Sequence, residues 1–221
     1  MTHDLVDTLR GLGLPLPRGV LQVGASFGQE VNWFVDNGIR AGVVIEPLAQ
    51  PYQALSQQCM QRPHFVVVSA LCADEDGQHV RFHVASNGGM SSSMLAPASH
   101  LKEFDVVRFE QTVEMMSHRL DHIVGLLEQN GHAEACGVLD LLYMDTQGAG
   151  MKVLRGAGTV LERVNVILTE VARNRMYDVA PDLAVLIADL APRGFTLNNV
   201  NFDRHHHGDA LFVHAAALGM H

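Results

Sequence analysis

The sequence lacks several features that would mark particular classes of protein. Lysine and arginine together number 15 against 24 aspartates and glutamates, so the formal net charge is −9. A chain without a basic surplus has little with which to neutralise phosphates, which argues against a nucleic-acid partner. No apolar run approaches the length of a membrane span, so we expect no membrane partner.

Cysteine is also scarce, and its spacing argues against disulfides. The three cysteines, Cys59, Cys72 and Cys136, are odd in number and widely separated, and no C-x-x-C pair occurs. This indicates a reduced, intracellular protein. The first residues carry no basic stretch followed by an apolar run, so no signal peptide is expected and the predicted location is cytoplasmic. The oligomeric state stays open, with a homodimer as one option.

Metal-binding spacings are missing although histidine is common. The chain has 13 histidines, but none stands in an H-E-x-x-H pattern. His205, His206 and His207 are consecutive, and adjacent residues of a strand point to opposite faces, so the three cannot all face one ion. We therefore predict no metal and interpret the run as a solvated hairpin turn.

What the sequence does contain is a regular alternation of apolar runs and helix-like segments. A short helix and linker are expected over residues 1–18, followed by one domain over residues 19–221. The last two strands, near 195–202 and 209–214, read as an antiparallel hairpin. The prediction is one doubly wound α/β domain with a mostly parallel sheet. Its other strands are expected near residues 19–24, 42–46, 64–69, 79–85, 138–145 and 164–171, and helices near 28–38, 49–60, 118–130, 149–162 and 182–192.

The first strand ends in a small-residue turn that is typical of nucleotide-binding α/β units. Gly24-Ala25-x-x-Gly28 lets the backbone approach a ligand closely, and Glu46 ends the next strand. A carboxylate at that position can hold both hydroxyls of a ribose. The alternative interpretation is a glycine turn without a ligand, as in any parallel α/β protein.

Two acidic residues follow later strands. Asp145 comes after the most apolar strand, and Glu170 lies near the end of the next one. Ligands of open α/β sheets bind beyond the carboxyl ends of the strands, so these acids are candidates for a base, a substrate anchor or metal ligands. Asp145 has a structural alternative as the N-cap of the following helix.

The combination of these motifs resembles the FkbM family of S-adenosylmethionine-dependent methyltransferases over roughly residues 19–213. The resemblance implies a Rossmann-like class I methyltransferase domain. Departures from the family occur at Gln22, Ser26 and Gly150, where the family commonly has an acid, an asparagine and a glutamate. The motifs that carry the resemblance are Val23-Gly24-Ala25-x-x-Gly28, Ile45-Glu46-Pro47, Ser91-Ser92-Ser93-Met94-Leu95 with Pro97 and His100, Arg119-Leu120-Asp121, Asp145-Thr146-Gln147-Gly148-Ala149, Val153-Leu154-Arg155-Gly156-Ala157, Thr169-Glu170-Val171 and Gly194-Phe195.

The resemblance also implies roles for individual residues. The cofactor would be S-adenosylmethionine, with Glu46 on its ribose, Ser69 and Ala70 beside its adenine, and the turn backbone on its methionine part. The remaining cofactor-binding candidates are Gly24, Ala25, Ser26, Gly28, Pro47 and Asp145. The candidate bases are Asp145, Glu170 and His100, in that order, and the candidates on the acceptor side are Ser91, Ser92, Ser93 and Asp121.

The expected function is O-methylation of a hydroxyl group on a small polar or sugar-like metabolite. The alternative is a protein of the same fold that binds the cofactor without methylating, or that uses it for another reaction. A nicotinamide-dependent dehydrogenase is disfavoured because no catalytic Tyr-x-x-x-Lys pair occurs.

Overall fold

Strands and helices alternate along the chain in the computed structural model, which describes residues 3–97, 106–109, 111–172, 183–202 and 207–219. The strands are β1 (Gly19–Val23), β2 (Ala41–Ile45), β3 (Phe65–Val68), β4 (Leu71–Cys72), β5 (His79–Val84), β6 (Gln111–His118), β7 (Leu139–Met144), β8 (Val166–Ala172), β9 (Phe195–Phe202) and β10 (His207–His214). The helices are α1 (His3–Gly11), α2 (Val31–Asp36), α3 (Ala49–Cys59), α4 (Leu120–Leu127), α5 (Ala133–Cys136), α6 (Gly150–Gly156) and α7 (Leu183–Leu190), with short 3₁₀ turns at Gly158–Arg163, Ala191–Arg193 and Ala215–Leu218.

Seven strands form the main sheet in the order β3-β2-β1-β7-β8-β10-β9. The five from β3 to β8 run parallel, and β10 pairs antiparallel with both β8 and β9. The predicted fold class, a mostly parallel doubly wound sheet that ends in an antiparallel hairpin, is therefore confirmed. The strand order reverses between β1 and β7, and the crevice beyond the carboxyl ends of these two strands is where such sheets bind ligands.

The central strand β7 is buried along its whole length because apolar side chains cover both faces of the sheet. Leu142 and Met144 belong to the core cluster on one face, and Leu141 and Tyr143 to the cluster on the other. The second cluster includes Leu5 and Leu9 of α1, so this helix packs on the sheet.

Asp140 is a buried carboxylate in β7, and it fixes the start of β1. Its Oδ1 accepts hydrogen bonds from the backbone N–H groups of Arg18 (2.9 Å) and Gly19 (3.2 Å). Its Oδ2 accepts one from Arg18 Nε at 3.0 Å. Three donors and a positive charge offset the cost of burying this carboxylate.

The structure also contains a small second sheet, in the order β4-β6-β5, of which only one strand was predicted. The sequence predicts β5 but leaves β6 unassigned, because Gln111–His118 is largely polar and does not alternate apolar with polar residues; half of these residues are exposed in the structure. The helix predicted over 149–162 is interrupted at Gly158, whose φ of +48° is left-handed. Within the described residues, the helices are too short or too polar to span a membrane.

Candidate active site

The turn after β1 lies where the strand ends of β1 and β7 meet. The backbone N–H groups of Gly24 and Ala25 both donate to the Ile45 carbonyl at 3.0 Å, which ties the turn to β2. Gly24 has a φ of +81°, and a Cβ there would overlap the backbone carbonyl of Asp145. Only glycine therefore fits between the two strand ends, and Gly24 lines the cleft beside the turn.

Glu46 holds the shape of this turn from the end of β2. It is 5% exposed, and its two oxygens accept backbone hydrogen bonds from Ser26 and Leu48, each at 2.8 Å. Burial raises the pKa of this carboxyl, and the two backbone hydrogen bonds oppose that shift. Ser26 has a left-handed φ of +46°, so the hydrogen bond that its backbone N–H donates to Glu46 fixes a strained residue at the rim of the cleft.

Ser26 supplies an observation that points to a ligand. Its hydroxyl oxygen is buried and has no hydrogen-bond partner among the described residues, yet Ser26 lines the cleft. Buried polar atoms in proteins are nearly always hydrogen-bonded, so an unpaired hydroxyl at a cleft wall fits a polar molecule bound there. Glu46 lines the same cleft, and its carboxylate oxygens retain lone pairs for two further donors.

The cleft has a volume of about 180 Å³ and contains most of the predicted cofactor residues. Gly24, Ser26, Glu46, Pro47, Ala70 and Asp145 line it, whereas Ala25, Gly28 and Ser69 lie outside its lining. Sequence reasoning missed several members of the wall, which come from strand β5, from loops, and from motif positions to which no role was assigned. These are chiefly Gln29, Glu30, Leu48, Phe82, Met90, Met94, Thr146 and Gln147.

Asp145 and Glu170 meet at the carboxyl ends of β7 and β8, bridged by Gln147. The side-chain nitrogen of Gln147 donates to Asp145 Oδ1 at 2.6 Å and to Glu170 Oε2 at 3.1 Å. Burial, and next the negative charge of Glu170, raise the pKa of Asp145 well above its usual value, whereas the Gln147 hydrogen bond lowers it. The surroundings of Asp145 therefore favour its protonated form.

Gln147 is the functional candidate that sequence reasoning overlooked, although it stands within the Asp145-Thr146-Gln147-Gly148 motif. Its φ of +50° is left-handed, which turns the side chain back across the two strand ends. Ser93 supports this geometry, because its hydroxyl donates to the Gln147 backbone carbonyl at 2.8 Å. The left-handed conformation that brings Gln147 into the site is visible only in the structure.

The three serines predicted on the acceptor side bond mainly to their own segment. Ser91 bonds to Asn87, and the Ser92 hydroxyl accepts from the Ala85 N–H at 2.9 Å. Ser92 lines the cleft, whereas Ser91 and Ser93 lie outside its lining. A role for these serines toward an acceptor remains a prediction.

The other predicted candidates lie apart from the cleft or outside the described residues. Asp121 forms a salt bridge with Arg119 at 2.6 Å at the start of α4 and does not line the cleft. His100 lies outside the described residues. At Gly150, where the family commonly has a glutamate, a Cβ would lie 3.3 Å from the Thr169 hydroxyl, so a larger side chain would have to fit closely against Thr169.

The prediction of a solvated turn is wrong for His207. This residue begins β10, its side chain is 20% exposed, and its Nδ1 lies 3.5 Å from Glu170 Oε1. Antiparallel pairing of β10 with β8 brings the two together. His205 and His206 lie outside the described residues. In the described parts of the chain, no group of three or more histidine, cysteine, aspartate or glutamate side chains is placed to hold a metal ion.

Comparison with known proteins identifies the family of the chain. The methyltransferase FkbM domain matches residues 22–197. The chain is 29% identical over 201 residues to the 2-O-methyltransferase NoeI of Sinorhizobium fredii, covering 87% of this chain and 77% of that protein.

Two solved structures are similar in fold. Fibrillarin of Aeropyrum pernix, crystallised with natively bound S-adenosyl-L-methionine, superposes with a TM-score of 0.50 at 12% identity, covering 95% of this chain and 74% of that one. An uncharacterised protein of Listeria monocytogenes also gives a TM-score of 0.50, at 8% identity, with coverage of 97% and 67%. The match over residues 22–197 spans most of the chain, which therefore belongs to the FkbM methyltransferase family and is an S-adenosylmethionine-dependent methyltransferase.

Proposed function

We propose that the protein transfers a methyl group to a hydroxyl oxygen of a small polar molecule. The observation that carries the proposal is the carboxyl pair of Asp145 and Glu170, bridged by Gln147 at the edge of the cleft. A hydroxyl group has a high pKa, so its methylation at neutral pH is aided by a positioned group that removes the proton. The name of the relative NoeI, a 2-O-methyltransferase, supports an oxygen acceptor.

The cleft residues would hold S-adenosylmethionine in the following way. Glu46, at the end of β2, would accept hydrogen bonds from both ribose hydroxyls, and Ser26 Oγ would satisfy its missing partner on the ligand. Ala70 and Pro47 supply apolar wall on either side. The Gly24 turn would let the methionine part approach the backbone.

When bound, S-adenosylmethionine supplies a methyl group whose bond to the positively charged sulfur breaks with its electron pair left on sulfur. Asp145 would take the proton from the acceptor hydroxyl as the new oxygen–carbon bond forms. Burial and the charge of Glu170 raise the pKa of Asp145, which makes it a stronger base toward the acceptor proton than an ordinary aspartate. The hydrogen bonds from Gln147 would keep the carboxyl groups of Asp145 and Glu170 in place.

A small acceptor agrees with the charge of the protein. The net charge of −9 leaves little attraction for a phosphate backbone, and acidic groups surround the carboxyl pair, including Glu30 at the cleft wall. A neutral hydroxylated metabolite avoids this repulsion.

The test has a binding step and a transfer step. Titration calorimetry should give micromolar affinity for S-adenosylmethionine or its demethylated product and none for NAD. Transfer of labelled methyl groups to a panel of hydroxylated metabolites should then show turnover at oxygen. Tight cofactor binding with methylation only at nitrogen or carbon would overturn the oxygen acceptor.

A further inference from the structure

The wall of the cofactor cleft is rich in carboxyl groups. Glu30, Glu46 and Asp145 supply three of them. Among the described residues that line the cleft there is no lysine, arginine or histidine. A cleft lined by acids alone favours a ligand with positive charge. S-adenosylmethionine meets this condition, because it carries a sulfonium and an ammonium group against a single carboxylate.

Glu30 is the acid of this wall that has no role toward the cofactor or the acceptor so far. It lies between the Gly24 turn and α2. Burial, and next the negative charge of Glu30, raise the pKa of the Tyr143 phenol in β7, so Glu30 lies close to that strand. Glu46, in contrast, follows β2, and β1 stands between β2 and β7 in the sheet. The two glutamates therefore reach the cleft from different sides of the turn after β1.

Gln22 holds the side chain of Glu30 from within β1. Gln22 is fully buried, and its Nε2 donates a hydrogen bond to Glu30 Oε2 at 3.0 Å. The other amide atom of Gln22, Oε1, is buried without a hydrogen-bond partner among the described residues. Buried polar atoms are nearly always paired, so this amide is costly in a strand that is otherwise apolar. The hydrogen bond that fixes Glu30 gives the amide a function in the site rather than in the core.

We propose that Glu30, held in place by Gln22, binds the ammonium group of S-adenosylmethionine. An ammonium group offers three N–H donors with a full positive charge, and a carboxylate that accepts from Gln22 keeps lone pairs for further donors. Where the family commonly has an acid at position 22, this chain has a neutral amide that bonds to an acid eight residues later. The negative charge is thus supplied by residue 30. The inference concerns the cofactor and does not depend on which acceptor is methylated.

The test compares two ligands that differ only in the ammonium group. These are S-adenosylhomocysteine and its deamino analogue, in which a hydrogen atom replaces that group. Neither ligand has a methyl group to transfer, so titration calorimetry measures binding alone. Glu30→Gln should weaken S-adenosylhomocysteine binding at least about tenfold, the scale of one charge-assisted hydrogen bond. The same variant should bind the deamino analogue no more weakly than the wild type does, because that ligand has lost the group that Glu30 binds.

Two controls show that the rest of the site is intact. Methylthioadenosine lacks the whole amino-acid end, so its affinity for Glu30→Gln should stay within about twofold of the wild-type value. Glu162→Gln makes the same change at an exposed glutamate outside the cleft lining, and it should bind all three ligands as the wild type does.

A second variant tests the role of Gln22. Gln22→Met removes the amide donor with little change of shape, so it should reduce the preference for S-adenosylhomocysteine over the deamino analogue, but less than Glu30→Gln does. Thermal melting checks that both variants are folded. If folded Glu30→Gln keeps the wild-type preference, or loses affinity for methylthioadenosine as much as for S-adenosylhomocysteine, the assignment of Glu30 is wrong. If only Gln22→Met keeps the preference, Glu30 remains assigned and the positioning role of Gln22 is wrong.

Discussion

Replacement of Asp145 by asparagine should lower activity and raise stability at the same time. In the wild type, burial and the charge of Glu170 both oppose ionisation of Asp145. Asparagine keeps the shape and an oxygen that can accept from Gln147, and its amide N–H can donate to Glu170. The variant therefore removes a repulsion while it removes the candidate base.

The expected changes in turnover and in the free energy of unfolding follow from typical magnitudes for general bases and for stabilising substitutions. Loss of a positioned general base costs about 10²- to 10⁴-fold in turnover, so we expect a reduction of at least about a hundredfold. Relief of a strained functional site commonly adds about 0.5–2 kcal/mol to the free energy of unfolding. For a chain of this size, each 1 kcal/mol corresponds to roughly 2–4 °C in Tm.

The dependence of this stability gain on pH provides a sharper criterion. Because the pKa of Asp145 is raised in the folded protein, the folded state holds its proton to a higher pH than the unfolded chain does. The stability that this proton provides is complete below the unfolded pKa of about 3.9 and is lost as pH rises through the folded pKa. The Tm of Asp145→Asn minus that of the wild type should therefore grow from pH 4 toward pH 8.

The measurement is a series of thermal melts without cofactor, paired with methyl transfer from labelled cofactor. The exposed Asp7 in α1 provides a matched control, since Asp7→Asn changes the same charge away from the site. A Tm difference that does not vary with pH would refute the buried acid pair. Turnover equal to the wild type would remove Asp145 from the mechanism and leave Glu170 as the candidate base.

Three further predictions concern other buried contacts. Glu46→Ala should weaken S-adenosylmethionine binding by about 2 kcal/mol, roughly thirtyfold in Kd, because two charge-assisted hydrogen bonds to the ribose are lost. Unchanged affinity of the folded variant in calorimetry would contradict the assignment of Glu46 to the ribose. Gln147→Gly keeps the left-handed backbone but removes the donor that favours the charged form of Asp145, so the acid limb of the pH–activity profile should move to higher pH. An acid limb that stays in place or moves to lower pH would count against the Gln147 bridge. Asp140→Ala leaves the backbone donors of Arg18 and Gly19 unpaired, so it should lower the free energy of unfolding in denaturant titration by about 1–3 kcal/mol and leave cofactor affinity unchanged. A loss below about 0.5 kcal/mol would contradict the structural role of Asp140.

The parallel core of the sheet was predictable because its signal is local. Val20–Val23 and Leu139–Met144 are apolar on both faces apart from Gln22 and Asp140, as expected for strands that are covered on both sides. Strand β6 carries no such signal, since half of its residues are exposed and its described pairing lies within the small sheet. Its position depends on the partner strand β5 rather than on its own composition.

The cofactor side of the site was predictable for the same reason. The turn at Gly24 and the acid at Glu46 each follow a recognisable strand, and the carboxyl ends of adjacent parallel strands meet at one edge. The conformation of Gln147 was not predictable, because a left-handed φ at a non-glycine residue is set by surrounding contacts such as the Ser93 hydrogen bond.

The environment of Glu170 could not be predicted from local sequence patterns. Chain order suggests that His207 belongs to a turn between the last two strands, far from the parallel core. Strand β10, however, inserts between β8 and β9, so His207 pairs with Ala172 and its ring reaches Glu170. The insertion places an antiparallel strand beside β8, and the register sets Asp209 between Glu170 and Asn201 on one face of the sheet. Pairing between strands that are distant in the chain thus determines the surroundings of Glu170. Glu46, in contrast, lies at the end of β2 in the parallel half of the sheet, where each strand has a local signal, so its place in the cleft could be predicted from the sequence.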